Sequence, residues 1–173
     1  MANIVTMGSG KTRAEKKAPG ARKLAKHLKY MIPQVRLALI REPETKAPPI
    51  NCPEDMEIFM EPLKFYSEEH FVAFHLNARN EVNGYHLVSH GSLSASLVHP
   101  REVFKAAILA NAYAIIVAHN HPGGSLSPSA EDLQTTEQLI AAGKLLGVTV
   151  VDHVIVAVSG TYSIREHHSY FWK

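Results

Sequence analysis

The spacing of apolar residues along the chain predicts alternating strands and helices. Residues 113–118 form a continuous apolar run rich in β-branched side chains, which is typical of a buried strand. Residues 130–146 carry leucine and isoleucine at helical spacing after a Ser-Pro-Ser segment that suits a helix start. The other predicted elements are strands at 70–76, 85–89, 148–158 and 161–164, a turn over 77–84, and helices at 54–63 and 100–111. The pattern predicts an α/β fold in which helices flank one curved mixed sheet.

Composition divides the chain into three predicted parts. Residues 1–33 form a basic tail that we expect to be flexible, and residues 34–52 hold a short strand and a Pro-rich linker. Residues 53–173 form the predicted folded domain, so the 173-residue chain is long enough for one such domain and an extension. No apolar run approaches the length of a bilayer span, and the N-terminus has no signal-peptide core. The single Cys52 cannot form an internal disulfide, and we expect a cytoplasmic protein.

Charge is distributed unevenly along the chain. The first 48 residues contain 11 Lys and Arg against 3 Asp and Glu, whereas the remaining residues contain 7 against 13. A basic tail of this kind can bind nucleic acid phosphates without reading their sequence. It can equally serve only to keep the protein soluble. Both interpretations remain open at this point.

The densest candidate chemistry lies between His119 and Asp132. His119 and His121 come where the strand predicted at 113–118 ends, and residues two apart on an extended chain point the same way. A Pro-Gly-Gly turn then leads into the predicted helix, and Asp132 lies in the first turn of that helix. Two histidines and a carboxylate can occupy three corners of a tetrahedral zinc site and leave the fourth for water. The pattern therefore predicts a catalytic zinc site.

Each part of this pattern also has a simpler structural interpretation. Ser129 is a good helix N-cap, and Asp132 is favoured near a helix N-terminus by the helix dipole. A His-x-His pair can be two polar residues that end a strand. His153, which follows Asp152, can either support a ligand histidine from behind or be a buried histidine bonded to backbone. The aromatic C-terminus at 170–172 is either a packing or a docking segment.

The motif resembles that of a known family. The spacing H-x-H-x7-S-x2-D is similar to the metal motif of JAMM (MPN+) metalloproteases. The strings Leu-Val-His-Pro-Arg-Glu-Val-Phe at 97–104, Ala-His-Asn-His-Pro at 118–122 and Val-Asp-His-Val-Ile-Val at 151–156 resemble the bacterial RadC-like branch. The resemblance covers about residues 53–166 and implies a JAB/MPN fold, which is cytidine-deaminase-like.

The resemblance implies a role for each matching residue. His119, His121 and Asp132 would hold Zn2+, and Ser129 would help to stabilise the oxyanion formed when water attacks a carbonyl. A glutamate upstream of the His-x-His strand would be the general base. Glu69 is the first candidate and Glu68 the second, since both precede the strand predicted at 70–76. Glu81 and Glu102 are weaker candidates.

We therefore expect a zinc-dependent metallopeptidase that cleaves a peptide or isopeptide bond in a peptide or protein substrate. An alternative of a different class is a RadC-like accessory protein associated with DNA repair, which binds nucleic acid through the basic tail. A third possibility is a metal-dependent nuclease, although phosphoryl chemistry often uses two metals and more carboxylates than this motif supplies. No membrane partner is expected, and the sequence does not indicate an oligomeric state.

Overall fold

The computed structural model describes residues 53–91 and 98–173. The described strands are β1 (His70–Leu76), β2 (Val82–His90), β3 (Ala114–Asn120), β4 (Thr149–Ala157) and β5 (Gly160–Ser163). The described α-helices are α1 (Glu57–Met60), α2 (Pro100–Leu109), α3 (Ala130–Leu146) and α4 (Ile164–His167), and there are 3-10 turns at Pro53–Met56, Glu61–Phe65 and Ser169–Trp172. The predicted tail, the short strand at 34–41 and the linker lie outside the described residues.

The five strands form one mixed sheet in the order β2-β1-β3-β4-β5. β3 and β4 are parallel and are connected through α3, whereas the other neighbouring strands are antiparallel. The prediction of an α/β fold with helices flanking a mixed sheet is confirmed, and the arrangement is consistent with a JAB/MPN fold.

The sheet is covered on both faces, which explains why every residue of β3 is buried. On one face, Met60 and Leu63 from the turns before β1 pack against Ile116 and its neighbours. On the other face, Phe104 of α2 and Leu139 of α3 pack over the sheet. We call the second face the helix face. Because side chains alternate along a strand, successive residues of β3 serve the two faces in turn.

Two local predictions are wrong. The helix predicted at 54–63 is instead a succession of three short turns, Pro53–Met56, Glu57–Met60 and Glu61–Phe65. Pro62 has no N–H to donate to a carbonyl one turn earlier, so it cannot continue an α-helix from α1. The turn predicted over 77–84 is also too long, because β2 already begins at Val82 and Gly84 pairs with His75 of β1.

The C-terminal aromatic residues pack against the domain. Phe171 and Trp172 are partly buried against the core of the helix face, and the Trp172 indole N–H donates to the Val150 carbonyl at 2.8 Å. This contact supports the packing interpretation of the C-terminus. In the part of the chain that the structure describes, no helix is long and apolar enough to cross a membrane.

A register shift in β4 determines which residues face α3. Ile115 of β3 pairs with Val150, but the next residue, Ile116, pairs with Asp152, so Val151 is an extra residue in β4. Without the bulge, strict alternation would place Val150 and His153 on opposite faces. With it, His153 pairs with Val117 and lies on the helix face.

His75 of β1 is a buried histidine on the same face. The ring is 2% exposed, and neither of its nitrogens has a hydrogen-bond partner among the described residues. Gly84 lies opposite it, and a Cβ at that position would lie 3.4 Å from the His75 Nδ1 atom. Burial, together with the neighbouring His86, lowers the pKa of His75 to about 4.

We predict that His75 makes the domain less stable in mild acid. Its pKa is lower in the folded chain than in the unfolded chain, so its contribution to the free energy of unfolding is complete above about pH 6.5 and is lost as the pH falls towards 4. The shift corresponds to at most about 3 kcal/mol. His75→Phe should therefore flatten the pH dependence of urea unfolding, measured in chelator between pH 7.5 and 4.5.

His90→Gln provides the matched control, because His90 is exposed on the neighbouring strand and meets water in both states. This variant should keep the pH dependence of the wild type. If His75→Phe also kept the wild-type pH dependence, the prediction would be wrong.

Candidate metal centre

The site forms where β3 ends and α3 begins. His119 lies on the helix face of β3 and is fully buried, and its ring stacks on Phe71 of β1 with centroids 6.0 Å apart. His121 follows the strand, but its backbone N–H still donates to the Val156 carbonyl of β4 at 2.9 Å. The chain then turns at Gly124, which has a left-handed φ of 81°, and reaches the N-terminus of α3.

Three ligand atoms converge at this point. The Nε2 atoms of His119 and His121 are 3.0 Å apart. One oxygen of Asp132 lies 3.2 Å from the His119 Nε2 atom, and the other lies 3.6 Å from the His121 Nε2 atom. Two atoms that ligate one tetrahedral zinc at about 2.0–2.1 Å are separated by roughly 3.3 Å. The three side chains therefore fit a single metal ion.

The other nitrogen of each imidazole is already hydrogen-bonded. The His121 Nδ1 atom lies 2.8 Å from the Ser125 carbonyl oxygen, which can only accept, so Nδ1 carries the proton. The His119 Nδ1 atom lies 2.8 Å from the Nε2 atom of His153. Both histidines therefore direct Nε2 into the site, where a proton or a metal ion can bind.

The cap of α3 holds the third ligand. The Ser129 N–H and hydroxyl each donate to one Asp132 oxygen at 2.7 Å, and the Asp132 N–H donates to the Ser129 Oγ atom at 3.1 Å. The capping interpretation of Ser129 is therefore confirmed, with both halves of a capping box present. The same bonds restrict rotation of the Asp132 carboxylate beside the two histidines.

The acidic and basic side chains of the site shift one another's pKa before any metal binds. Burial acts to raise the pKa of Asp132, but the neighbouring His119 and His121 rings and the Ser129 hydroxyl outweigh it and hold the pKa well below its usual range. The neighbouring Asp132 carboxylate raises the pKa of His121, against the opposing effect of burial, and the charge of Glu69 adds to the increase. A cation in this position is therefore stabilised by two carboxylates.

Asn120 lies between the two histidines in sequence but faces the other side of the sheet. It is 1% exposed, and its amide group donates to the carbonyls of Tyr66 and Glu68 at 3.2 and 3.0 Å. Its side-chain oxygen accepts from the His70 N–H at 2.7 Å. These three bonds attach the segment that carries Glu69 to the end of β3.

The pairing register of β1 and β3 distinguishes the two candidate general bases, Glu69 and Glu68. Phe71 pairs with His119 in this antiparallel pair, so continuing the register by two residues sets Glu69 opposite His121. Extending strand alternation by one residue before β1 puts Glu69 on the face of Phe71, whereas Glu68 lies in a bend before the strand and is exposed. No side chain in the described ranges hydrogen-bonds to the Glu69 carboxylate.

The weaker candidates are engaged elsewhere. The Glu81 carboxylate accepts hydrogen bonds from Asn77 and Arg79 in the turn between β1 and β2. The Glu102 carboxylate pairs with Arg101 and Lys105 on α2. The structure brings Glu69, among the glutamates considered, towards the three metal-ligand candidates.

Sequence reasoning missed two residues of the site. Thr136, one helical turn after Asp132, bonds both to the Asp132 carbonyl and to His153. The i, i+4 spacing from Asp132 could have indicated Thr136, because residues at this spacing lie on one side of a helix. Asn120 was the second, and its signal was its position in the His-x-His strand, where alternation turns it to the other face.

A five-stranded mixed sheet flanked by helices is consistent with a domain of JAB type, and the His-His-Asp cluster at the junction of β3 and α3 fits a JAMM-like metal site. Residues 50–169 match the family described as RadC-like JAB domain. The chain therefore belongs to the RadC-like JAB domain family.

Curated relatives support the same assignment. The chain is 44% identical over 122 residues to a UPF0758 protein of Caldanaerobacter subterraneus, an alignment that covers 70% of this chain and 52% of the relative. It is 46% identical over 118 residues to a UPF0758 protein of Geobacillus thermodenitrificans, covering 68% and 52%. It is 40% identical over 128 residues to one of Methanosarcina mazei, covering 73% and 55%. The chain thus spans about half the length of these relatives.

We predict that Asn120 is a major structural contact of the candidate base segment. Asn120→Ala removes the three hydrogen bonds of a buried side chain, so the free energy of unfolding should fall by about 2–3 kcal/mol. Urea unfolding of the metal-free protein would measure the loss. Asn83→Ala is the matched control, because the Asn83 amide makes one longer bond, 3.3 Å to the Ala110 carbonyl, and should cost about 1 kcal/mol or less. Equal losses in the two variants would contradict the prediction.

Proposed function

We propose that this domain is a zinc-dependent hydrolase that cleaves a peptide or isopeptide bond in a peptide or protein substrate. The observation that carries the proposal is the convergence of two imidazole rings and one carboxylate on a single point. The register of β1 against β3, extended by two residues, supports Glu69 as the base opposite His121. Membership of the RadC-like JAB domain family supports it.

The ligand set favours zinc. Two imidazoles and one carboxylate form a mixed nitrogen and oxygen set of the type found in zinc hydrolases, and three protein ligands leave one tetrahedral position for water or substrate. When bound, the zinc ion would supply a more acidic water and a Lewis acid for the scissile carbonyl. Among the described residues, one cluster of His, Cys, Asp and Glu has this spacing, which favours one-metal chemistry over a two-metal nuclease.

The protein residues around the metal position then have distinct roles. Glu69, opposite His121, takes a proton from the attacking water and delivers it to the leaving amine. The Ser129 hydroxyl lies at the N-terminus of α3, where it can turn from Asp132 towards the developing oxyanion. The partial positive charge of the helix N-terminus acts in the same direction. His119, His121 and Asp132 hold the metal position.

Replacing Glu69 by glutamine should separate metal binding from turnover. Glu69→Gln keeps the size of the side chain but cannot accept the proton, so cleavage should slow by about 100-fold to 10,000-fold while metal content is unchanged. The measurement is cleavage of a panel of fluorogenic peptides and isopeptide-linked conjugates, with elemental mass spectrometry on the same samples.

Glu68→Gln is the matched control, because Glu68 is adjacent in sequence but lies in the exposed bend before β1. It should keep the wild-type cleavage rate. A Glu69→Gln variant that cleaves as fast as the wild type would remove Glu69 from the mechanism.

A further inference from the structure

A buried line of hydrogen bonds runs from His119 to the backbone of Asp132. The His119 Nδ1 atom lies 2.8 Å from the His153 Nε2 atom, and the His153 Nδ1 atom lies 2.6 Å from the Thr136 Oγ1 atom. The Thr136 hydroxyl donates to the Asp132 carbonyl at 2.7 Å. We propose that His153 and Thr136 are positioning residues that hold His119 in the tautomer and orientation needed to bind the metal. This inference rests on the proposed metal site.

The direction of each bond follows from the end of the line. A carbonyl oxygen can only accept, so the Thr136 hydroxyl uses its single proton on Asp132 and must accept from its other neighbour. That neighbour is His153, which therefore carries its proton on Nδ1. A neutral His153 then accepts at Nε2, so His119 must donate from Nδ1. The lone pair of His119 is thereby placed on Nε2, the atom that faces His121 and Asp132.

The surroundings of His153 keep its ring neutral and fixed. His119, His153 and Thr136 are each 0% exposed. The Phe71 ring packs edge-on against His153 at a centroid distance of 5.3 Å and stacks on His119. Burial of a ring without a carboxylate partner disfavours its charged form. A neutral His153 ring carries a single N–H, so the hydrogen bonds all donate in the same order, from His119 through His153 and Thr136 to the Asp132 carbonyl.

The nearby carboxylate does not take part in this line. Asp152 precedes His153, but its oxygens accept from the Ser163 hydroxyl at 2.7 Å and from the N–H groups of His153 and Arg165. Ligand histidines commonly donate their second N–H to a carboxylate, a carbonyl or water, and such partners raise metal affinity. Here a neutral imidazole, itself held by a threonine, occupies that position.

The line also connects two ligands that come from different elements. His119 belongs to β3 and Asp132 to α3, whereas His153 belongs to β4 and reaches His119 because of the bulge at Val151. Thr136 joins the line to the helix turn that carries Asp132. We therefore expect that breaking these hydrogen bonds weakens metal binding, although His153 and Thr136 are not themselves ligands.

The test is zinc affinity of the full chain, measured by competition with a chromogenic chelator. Thr136→Val keeps the shape of the side chain but removes the hydroxyl, and His153→Phe removes the accepting nitrogen. Each variant should bind zinc about 10-fold to 100-fold more weakly than the wild type. Thr136→Ser restores the hydroxyl and should bind zinc within about threefold of the wild type.

Ser163→Ala is the matched control, because it removes a buried side-chain hydrogen bond to Asp152, next to His153, outside the line. It should lower stability in urea while leaving zinc affinity unchanged. Wild-type affinity in both Thr136→Val and His153→Phe would overturn the proposed positioning role. A wild-type chain that takes up no zinc would instead contradict the metal site itself.

Nitrogen NMR of the wild-type histidines provides a test that does not depend on variants folding. Chemical shifts of imidazole nitrogens distinguish protonated from unprotonated atoms. We expect His119 and His153 both to carry the proton on Nδ1. A proton on the Nε2 atom of His153 would reverse the line and overturn the inference.

Discussion

Two imidazole nitrogens and a carboxylate, which carry lone pairs or negative charge, offer ligand atoms within 4.8 Å of one another at the end of β3. Their mutual repulsion must be offset by a cation. In the metal-free protein a proton serves this purpose, which is why the Asp132 carboxylate raises the pKa of His121. A metal ion fits the same position, and its binding would displace that proton.

Common features of the fold, strand alternation and a helix cap, orient the ligand side chains. Strand alternation sends His119 to the helix face and Asn120 to the opposite face, where Asn120 attaches the segment that carries Glu69. The capping box that begins α3 also orients Asp132. One set of contacts therefore stabilises the domain and arranges its chemistry, so substitutions at these positions affect both stability and metal binding.

Local patterns predicted the parts of the site that depend on neighbouring residues. The β-branched run before His119 and the Ser129 cap before α3 are short-range signals, and the helix was predicted with the bounds that the structure shows, Ala130–Leu146. Contacts between distant segments were not predictable in this way. Glu69 was ranked before Glu68 from the sequence, but its position opposite His121 depends on the register of β1 against β3. The facing of His153 depends on an extra residue in β4. Apolar periodicity likewise overlooked Pro62 in the helix predicted at 54–63, which is three short turns.

The metal content of the purified chain is the most direct test of the proposed zinc site. Elemental mass spectrometry should find about one zinc per chain in the wild type and a sharply reduced amount in Asp132→Ala. Glu131→Ala, which removes the exposed acid one residue earlier in the same helix turn, should keep the wild-type content. A wild-type chain that contains no zinc, and takes up none when zinc is added, would rule out the zinc site and leave His119, His121 and Asp132 as a strand end and a helix cap.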